Sequence, residues 1–435
     1  MKMKALLLTV MLSLTASFVF ADAINVSAYQ RWPWNGKVDI TYTIPDTGTD
    51  ETRIYAIEYY VSIDGGEPIA LNAIEGDGAN NEAVITPGLK KAVWDAYQDM
   101  PNLSGSKAKI GVIAEDITEE SVYFKLDIET GKMTVSRTAP SVAQGADSKC
   151  KELWFKNVKP GTFLMGSSTA EKFRSTSNEN QHEVTITKPF MISVFELTQG
   201  QVELMTGENP SYYWGTEQGN YKFMPMESAN YNRLRGTSAG ATWPNETDHR
   251  VDPDSIIGKI RAHFDGKYLI DLPTEAQWEY ACRAIEQEDG TYTFRGDNVW
   301  NNGLPYAPVP ETSTSPKEDT NLGAVAWFKE NSYEIDQVAR PREVGLKEPN
   351  GIGLYDMHGN VAEFCLDWLA NYGTEAVTDP TGPATGTGRV RRGGWVDGTS
   401  TVVKYFRIAY RVSSPPNQLD TNKIRYFGCR LVLLP

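Results

Sequence analysis

The run Asn350-Gly351-Ile352-Gly353-Leu354-Tyr355-Asp356-Met357-His358-Gly359-Asn360-Val361-Ala362-Glu363-Phe364-Cys365 leaves the chain little choice of local shape. Its glycines and asparagines interrupt any regular period before position 361 and call for tight turns with left-handed backbone. Two acids, Asp356 and Glu363, bracket the last turn, and the main chain at Gly359 and Val361 can turn carbonyls inward between them. Oxygen donors in an irregular shell suit a hard cation such as calcium and suit zinc or copper poorly. The plainer alternative is a glycine-permitted loop capped by Asp356, and spacing alone does not choose between the two. His358 falls inside this loop and is expected to point outward.

Residues 1–21 read as a secretory signal: Met1-Lys2-Met3-Lys4 is basic, 5–20 is apolar, and Val19-Phe20-Ala21 offers a small-residue cleavage site. The expected location is therefore secreted or periplasmic. No later stretch approaches about 18 uninterrupted apolar residues, so no transmembrane span is expected in the mature chain. With 56 acidic against 42 basic residues the formal charge is -14. That balance excludes nucleic acid and anionic membrane as partners, because no basic stripe offsets the phosphate field. Four cysteines, Cys150, Cys282, Cys365 and Cys429, allow one or two disulfides in an oxidising compartment or none, and the sequence does not select a pairing.

Between 22 and 137 short alternating runs at 38–44, 54–63, 108–114 and 121–128 read as strands separated by Asp64-Gly65-Gly66 and Glu75-Gly76-Asp77-Gly78. Strands at this spacing without a convincing helix predict a β-sandwich of immunoglobulin or fibronectin-III type, with Trp32, Trp34 and Trp94 in its core or rim. Residues 138–149 are small, polar and unpatterned, a linker. The remainder, 150–435, is loop-rich. Two helices are expected there, one near 198–206 with Thr198 as cap and one at 274–284 begun by Pro273-Thr274-Glu275. The fold class is thus α+β. Long loops such as 208–220, 303–320 and 373–388 need something to tie them down, and a bound ion is one such tie.

Further motifs occur in order: Gly161-Thr162-Phe163-Leu164-Met165-Gly166, Phe195-Glu196-Leu197-Thr198-Gln199, Leu272-Pro273-Thr274-Glu275-Ala276-Gln277-Trp278-Glu279, Arg391-Arg392-Gly393-Gly394-Trp395 and Phe427-Gly428-Cys429-Arg430. With the run at 350–365 this series resembles the sulfatase-modifying-factor family, the formylglycine-generating enzymes and their relatives. The resemblance implies a C-type-lectin-type fold over 150–435. It also implies a calcium shell at Asp356, Gly359, Val361 and Glu363, and a second at Asn298, Val299, Asp336 and Val338. For the second set, paired Asx turns are an equal alternative. In relatives the cysteine equivalent to Cys282 bridges to a C-terminal partner, but the matching position here is Ile408.

The resemblance also exposes a departure. Family enzymes oxidise a substrate cysteine to formylglycine through two cysteines that follow the Gly-Gly turn and bind copper, a task for soft thiolates. Here 395–407 contains no cysteine, the serine usual after the glycine pair is replaced by Trp395 or deleted, and Ala362 replaces the family tryptophan. Calcium is therefore expected and copper is not. Cys365 and Cys429 are expected to be packing residues or a buried disulfide. The reading is a non-catalytic module binding a protein, peptide or glycan through Trp395, Asp397, Tyr405, Arg407, Tyr410 and Arg411, aromatic and arginine side chains being frequent in binding hot spots. The competing readings are a formylglycine-generating oxidase with another metal arrangement and a structural component of an envelope complex. Among other catalytic constellations, the four histidines form no His-x-x-x-His pair.

Overall fold

A computed structural model of the chain describes residues 7–8, 26–31, 35–44, 53–85, 88–102, 107–118, 120, 122–215, 220–244, 249–308, 316–396, 403–418 and 425–434. Two compact units emerge: 1–122 with 132–137 and residue 435, and 123–131 with 138–434. Of the expected leader only Leu7–Leu8 is described, as a two-residue strand.

In the first unit Tyr55–Ile63 pairs antiparallel along its length with Lys107–Asp116 and along its other edge with Ile69–Ala70. Lys37–Ile44 pairs antiparallel with Val26–Gln30 and Gly88–Asp95, and Ile74–Gly76 extends this second sheet. Successive strand side chains point to opposite faces. Accordingly Val38, Ile40, Tyr42 and Ile44 of one sheet and Ile57, Tyr59 and Val61 of the other fall on inner faces and share one core with Trp94. Trp32 and Trp34 lie outside the described residues.

The strand read from sequence at 121–128 is observed as Tyr123–Asp127 and belongs to the second unit, where it pairs antiparallel with Glu152–Val158. The sheet continues through Phe190–Ser193 and Val432–Leu434 to Leu269–Asp271, all antiparallel. Residues 138–149 are no free linker. Lys149 is fully buried, donating to Glu343 at 2.9 Å and to the Val142 carbonyl at 3.0 Å, while Gly145 N–H donates to the same carboxylate.

Both expected helices form. Thr198 and Thr274 each accept from the N–H three residues on, and Gln201 and Gln277 return the bond, giving capping boxes for Gln199–Thr206 and Glu275–Arg283. Helices also form at Tyr231–Arg235, Ile256–His263, Leu322–Val325 and Lys329–Asp336, none of them anticipated. No helix among the described residues is long and apolar enough to cross a membrane.

A further small sheet orders Val412–Ser414, Arg389–Arg392, Ala362–Trp368 and Phe427–Gly428. Strand alternation sorts its arginines. Arg392 turns to helix Glu275–Arg283, bonding Glu275 at 2.8 Å and Glu279 at 2.5 Å and lying 5.1 Å from the Trp278 ring. Arg283 joins Glu279 at 2.8 Å and Arg411 joins Glu275 at 2.8 Å. Burial would raise the Glu279 carboxyl, yet Arg283 and Arg392 hold it below the ordinary carboxylate value. Asp367 adds a cap to the same helix, accepting from Glu275 N–H at 2.8 Å.

Removing one partner of a buried pair strands a charge. Arg392→Met should therefore cost about 3–5 kcal/mol in a denaturant melt, and a loss below about 1 kcal/mol would show the network to be solvated. Asp367 gives a pH test. Burial, aided by the negative charge of Glu275, pushes its carboxyl up to about 7. The folded chain then holds a proton that the unfolded chain releases above the ordinary aspartate range. That contribution to stability is complete at acid pH and is lost as pH rises through about 7. Asp367→Asn should flatten the decline between pH 4.5 and 7.5 by up to about 1.4 kcal/mol per pH unit, read as urea midpoints. Parallel slopes for the two proteins would contradict it.

Candidate functional site

Glycine is required at the turn that opens the site. Gly359 has φ +78, and a Cβ there would sit 2.2 Å from the Trp327 carbonyl oxygen. Asp356 and Asn360 on either side also adopt left-handed backbone. The loop is pinned upstream by Asn350, whose Oδ1 accepts from Leu354 N–H at 2.8 Å and whose amide donates to the Ala281 carbonyl at 2.7 Å, at the end of helix Glu275–Arg283.

This folding buries three carboxylates together. Asp356 Oδ2 accepts from Gly345 N–H at 2.6 Å, while its Oδ1 is buried without a hydrogen-bond partner. Glu363 takes Arg430 in a fork, at 2.7 and 2.8 Å, and Trp278 Nε1 at 2.6 Å. Glu196 accepts from Asn360 Nδ2 at 2.7 Å and from Val361 N–H at 3.1 Å. Burial, then the fields of Asp356 and Glu363, push Glu196 well above the usual carboxylate value, and burial pushes Asp356 up to about 6. Among the described residues Arg430 is the one guanidinium bonded into this trio, so a further positive charge is favoured here. Among the described residues no three His, Cys, Asp or Glu side chains converge as a metal site. A cation beside the unpartnered Asp356 oxygen would thus have to draw on carbonyls as well. Glu196 was missed in the sequence as a site residue, although its motif Phe195-Glu196-Leu197-Thr198 stands out. Nothing local pairs it with a loop 164 residues away.

The second expected shell is not assembled. Asn298 directs its side chain to the 170–172 loop, accepting from Lys172 N–H at 2.9 Å and donating to the Ala170 carbonyl at 3.1 Å. The neighbouring Val299 makes an isolated bridge with Pro305. Asp336 is held by Arg340 and by Arg342 at 2.6 and 2.8 Å, and the Val338 carbonyl accepts from Arg342 at 2.7 Å. The Asp336 carboxylate thus has two guanidinium partners. His358 likewise departs from expectation: it is fully buried 5.4 Å from Trp300, accepts from Asn301 N–H at 3.2 Å, and is lowered by burial to about 3.

The expected ligand face divides. Arg407 is buried in a fork with Glu179 at 2.9 and 3.0 Å, and Arg411 is buried on Glu275, so both brace the interior and are withdrawn from any ligand. Asp397 lies outside the described residues. Trp395, Tyr405 and Tyr410 are half-buried and do come together. Trp395 stacks on Tyr405 at 6.0 Å, and Tyr405 meets Tyr410 edge-on at 5.0 Å. Gly394, φ +78, permits this, since a Cβ would lie 2.7 Å from the Tyr405 carbonyl oxygen. All four cysteines are free thiols, Cys282, Cys365 and Cys429 buried. Burial raises the three buried thiols, Cys282 to about 12, opposing the thiolate form that copper binding needs.

Comparison with known proteins identifies the family. The family model described as sulfatase-modifying factor enzyme 1-like domain matches residues 146–433. A formylglycine-generating enzyme of Streptomyces coelicolor is 31% identical over 292 residues, covering 60% of this chain and 84% of its own length. A protein of Paenibacillus barcinonensis named chaperone protein LppX is 26% identical over 268 residues, covering 57% and 80%. Among solved structures, Treponema denticola variable protein 1 is similar at 23% identity with a TM-score of 0.45, covering 68% of this chain and 99% of its own. The chain belongs to the sulfatase-modifying factor enzyme 1-like family.

Proposed function

We propose that this chain is an exported, calcium-braced binding module that has lost the oxidase chemistry of its relatives. The observation that carries the reading is the segment after Gly393-Gly394. It has no cysteine through 407, and instead it presents the half-buried rings of Trp395, Tyr405 and Tyr410. Stacked aromatic rings at a surface are the usual anchors of recognition. The ligand class is a protein, peptide or glycan. The two-sheet first unit is read as a β-sandwich of immunoglobulin or fibronectin-III type, and 150–435 as a variant of the C-type lectin fold.

Calcium is placed at the loop of Asp356, Gly359, Val361 and Glu363. The support is the orphaned Asp356 oxygen among three buried carboxylates facing Arg430. There the ion would neutralise the excess negative charge and fix the turn that leads into strand Ala362–Trp368. A ligand that binds only the folded state stabilises it by mass action. Calcium at 100 times its Kd should thus add about 2.7 kcal/mol, and Asp356→Asn should abolish the gain. Coincident melts in calcium and in chelator would sink the ion's role. The loss of oxidase chemistry is tested separately, by incubating the copper-supplied protein with a cysteine peptide. No aldehyde product is expected, and catalytic turnover to formylglycine would overturn the reading.

A further inference from the structure

Arg391 is a buried cation with no counter-ion among the described residues. Its side chain faces away from the Arg392 network, 4% of the residue is exposed, and no carboxylate pairs with it among the described residues. Nε and Nη1 are both buried with no hydrogen-bond partner. Arg389, two residues along the same strand, also has an unpartnered Nε, but its Nη1 donates to the Trp243 and Leu366 carbonyls at 2.9 and 2.6 Å. Around Arg391 the neighbours are rings. The guanidinium lies 3.6 Å from the Phe427 centroid and 5.5 Å from that of Trp395, which in turn stacks on Tyr405. Burial lowers its pKa to about 9, so the group is still charged at neutral pH. Ring faces attract a guanidinium but offer no acceptor for its in-plane N–H groups. A buried donor left unmade is costly, and such a cost is retained where a ligand supplies the missing partner.

We infer that Arg391, floored by Phe427 and walled by Trp395, Tyr405 and Tyr410, is a receptor for an oxyanion carried on an apolar or aromatic body. The oxyanion accepts from the guanidinium while the ligand body lies against the Trp395 and Tyr405 rings. This inference rests on the reading of the same face as a binding surface and names its ligand chemistry. A carboxylate and a sulfate ester share that chemistry, and the probes below separate them.

The full chain is titrated with phenylacetate, phenyl sulfate and, as the neutral control, 2-phenylethanol, followed by tryptophan fluorescence and melting temperature. The wild type should bind at least one anionic probe ten-fold or more tightly than phenylethanol, and the stronger of the two anions identifies the oxyanion class. Arg391→Met should lose that preference while melting at or above the wild-type temperature, because an unpaired buried charge has been removed. A residue serving only structure would give the opposite pair of results. Equal binding of neutral and anionic probes in both proteins would overturn the oxyanion receptor and leave the binding face standing. Binding of no probe would also overturn the receptor, whereas the binding-module reading itself is decided by the cysteine-peptide turnover assay. Trp395→Ala, at a half-buried position, provides a second variant: weakened anion binding with Arg391 intact supports the walled site, and unchanged binding refutes it.

Discussion

Two acids one helical turn apart, Glu275 and Glu279, hold the second unit together by drawing arginines from distant parts of the chain. Arg392 bridges both, Arg283 satisfies Glu279 from the next turn, and Arg411 closes on Glu275. Charges taken so far from water are tolerable when they are paired and hydrogen-bonded, and here a capped helix and a sheet strand supply the carboxylates and the guanidinium together. Breaking any edge leaves a bare charge, so the arrangement fixes position strongly even where its net contribution to stability is modest. It also sets the level of Trp278, whose Nε1 reaches Glu363 and through it Arg430. The loop of Asp356 and Glu363 and the final strand are thereby tied to the same helix.

Strand Arg389–Arg392 joins this architecture to the proposed binding face. Because neighbouring side chains face opposite ways, the pairing that sends Arg392 into the interior sends Arg391 to the other face. There the chain offers Phe427 and Trp395 and no carboxylate among the described residues. Arg392 has two carboxylate partners, and Arg391 has none among the described residues. That contrast, within two adjacent residues, is what the proposed oxyanion receptor rests on.

Local chemistry was legible in the sequence. Thr198 and Thr274 with glutamine three residues on announced their helices, alternation announced strands Lys37–Ile44 and Tyr55–Ile63, and the ordered motifs announced the family. What failed was long-range pairing. Arg407 and Arg411 looked like surface contacts because their partners, Glu179 and Glu275, lie 228 and 136 residues away. Asp336 looked like a metal ligand because the arginines that occupy it carry no spacing rule of their own. Helix Lys329–Asp336 has no apolar stripe to betray it and is held by the Asn331 bonds to the Phe328 N–H and the Ala326 carbonyl. Glu196 and Arg391 were both on the page as parts of motifs. Only burial shows that one has joined a crowded carboxylate cluster and that the other is without a partner.

The central claim is that thiol chemistry has left the Gly393-Gly394 turn and a binding face has replaced it. Its most direct test is the reaction of the native protein with a thiol-specific disulfide reagent, before and after addition of monovalent copper. The account predicts that Cys282, Cys365 and Cys429 stay unreactive until unfolding and that copper alters nothing. Two thiols reacting together in the native state and becoming protected by copper would contradict it.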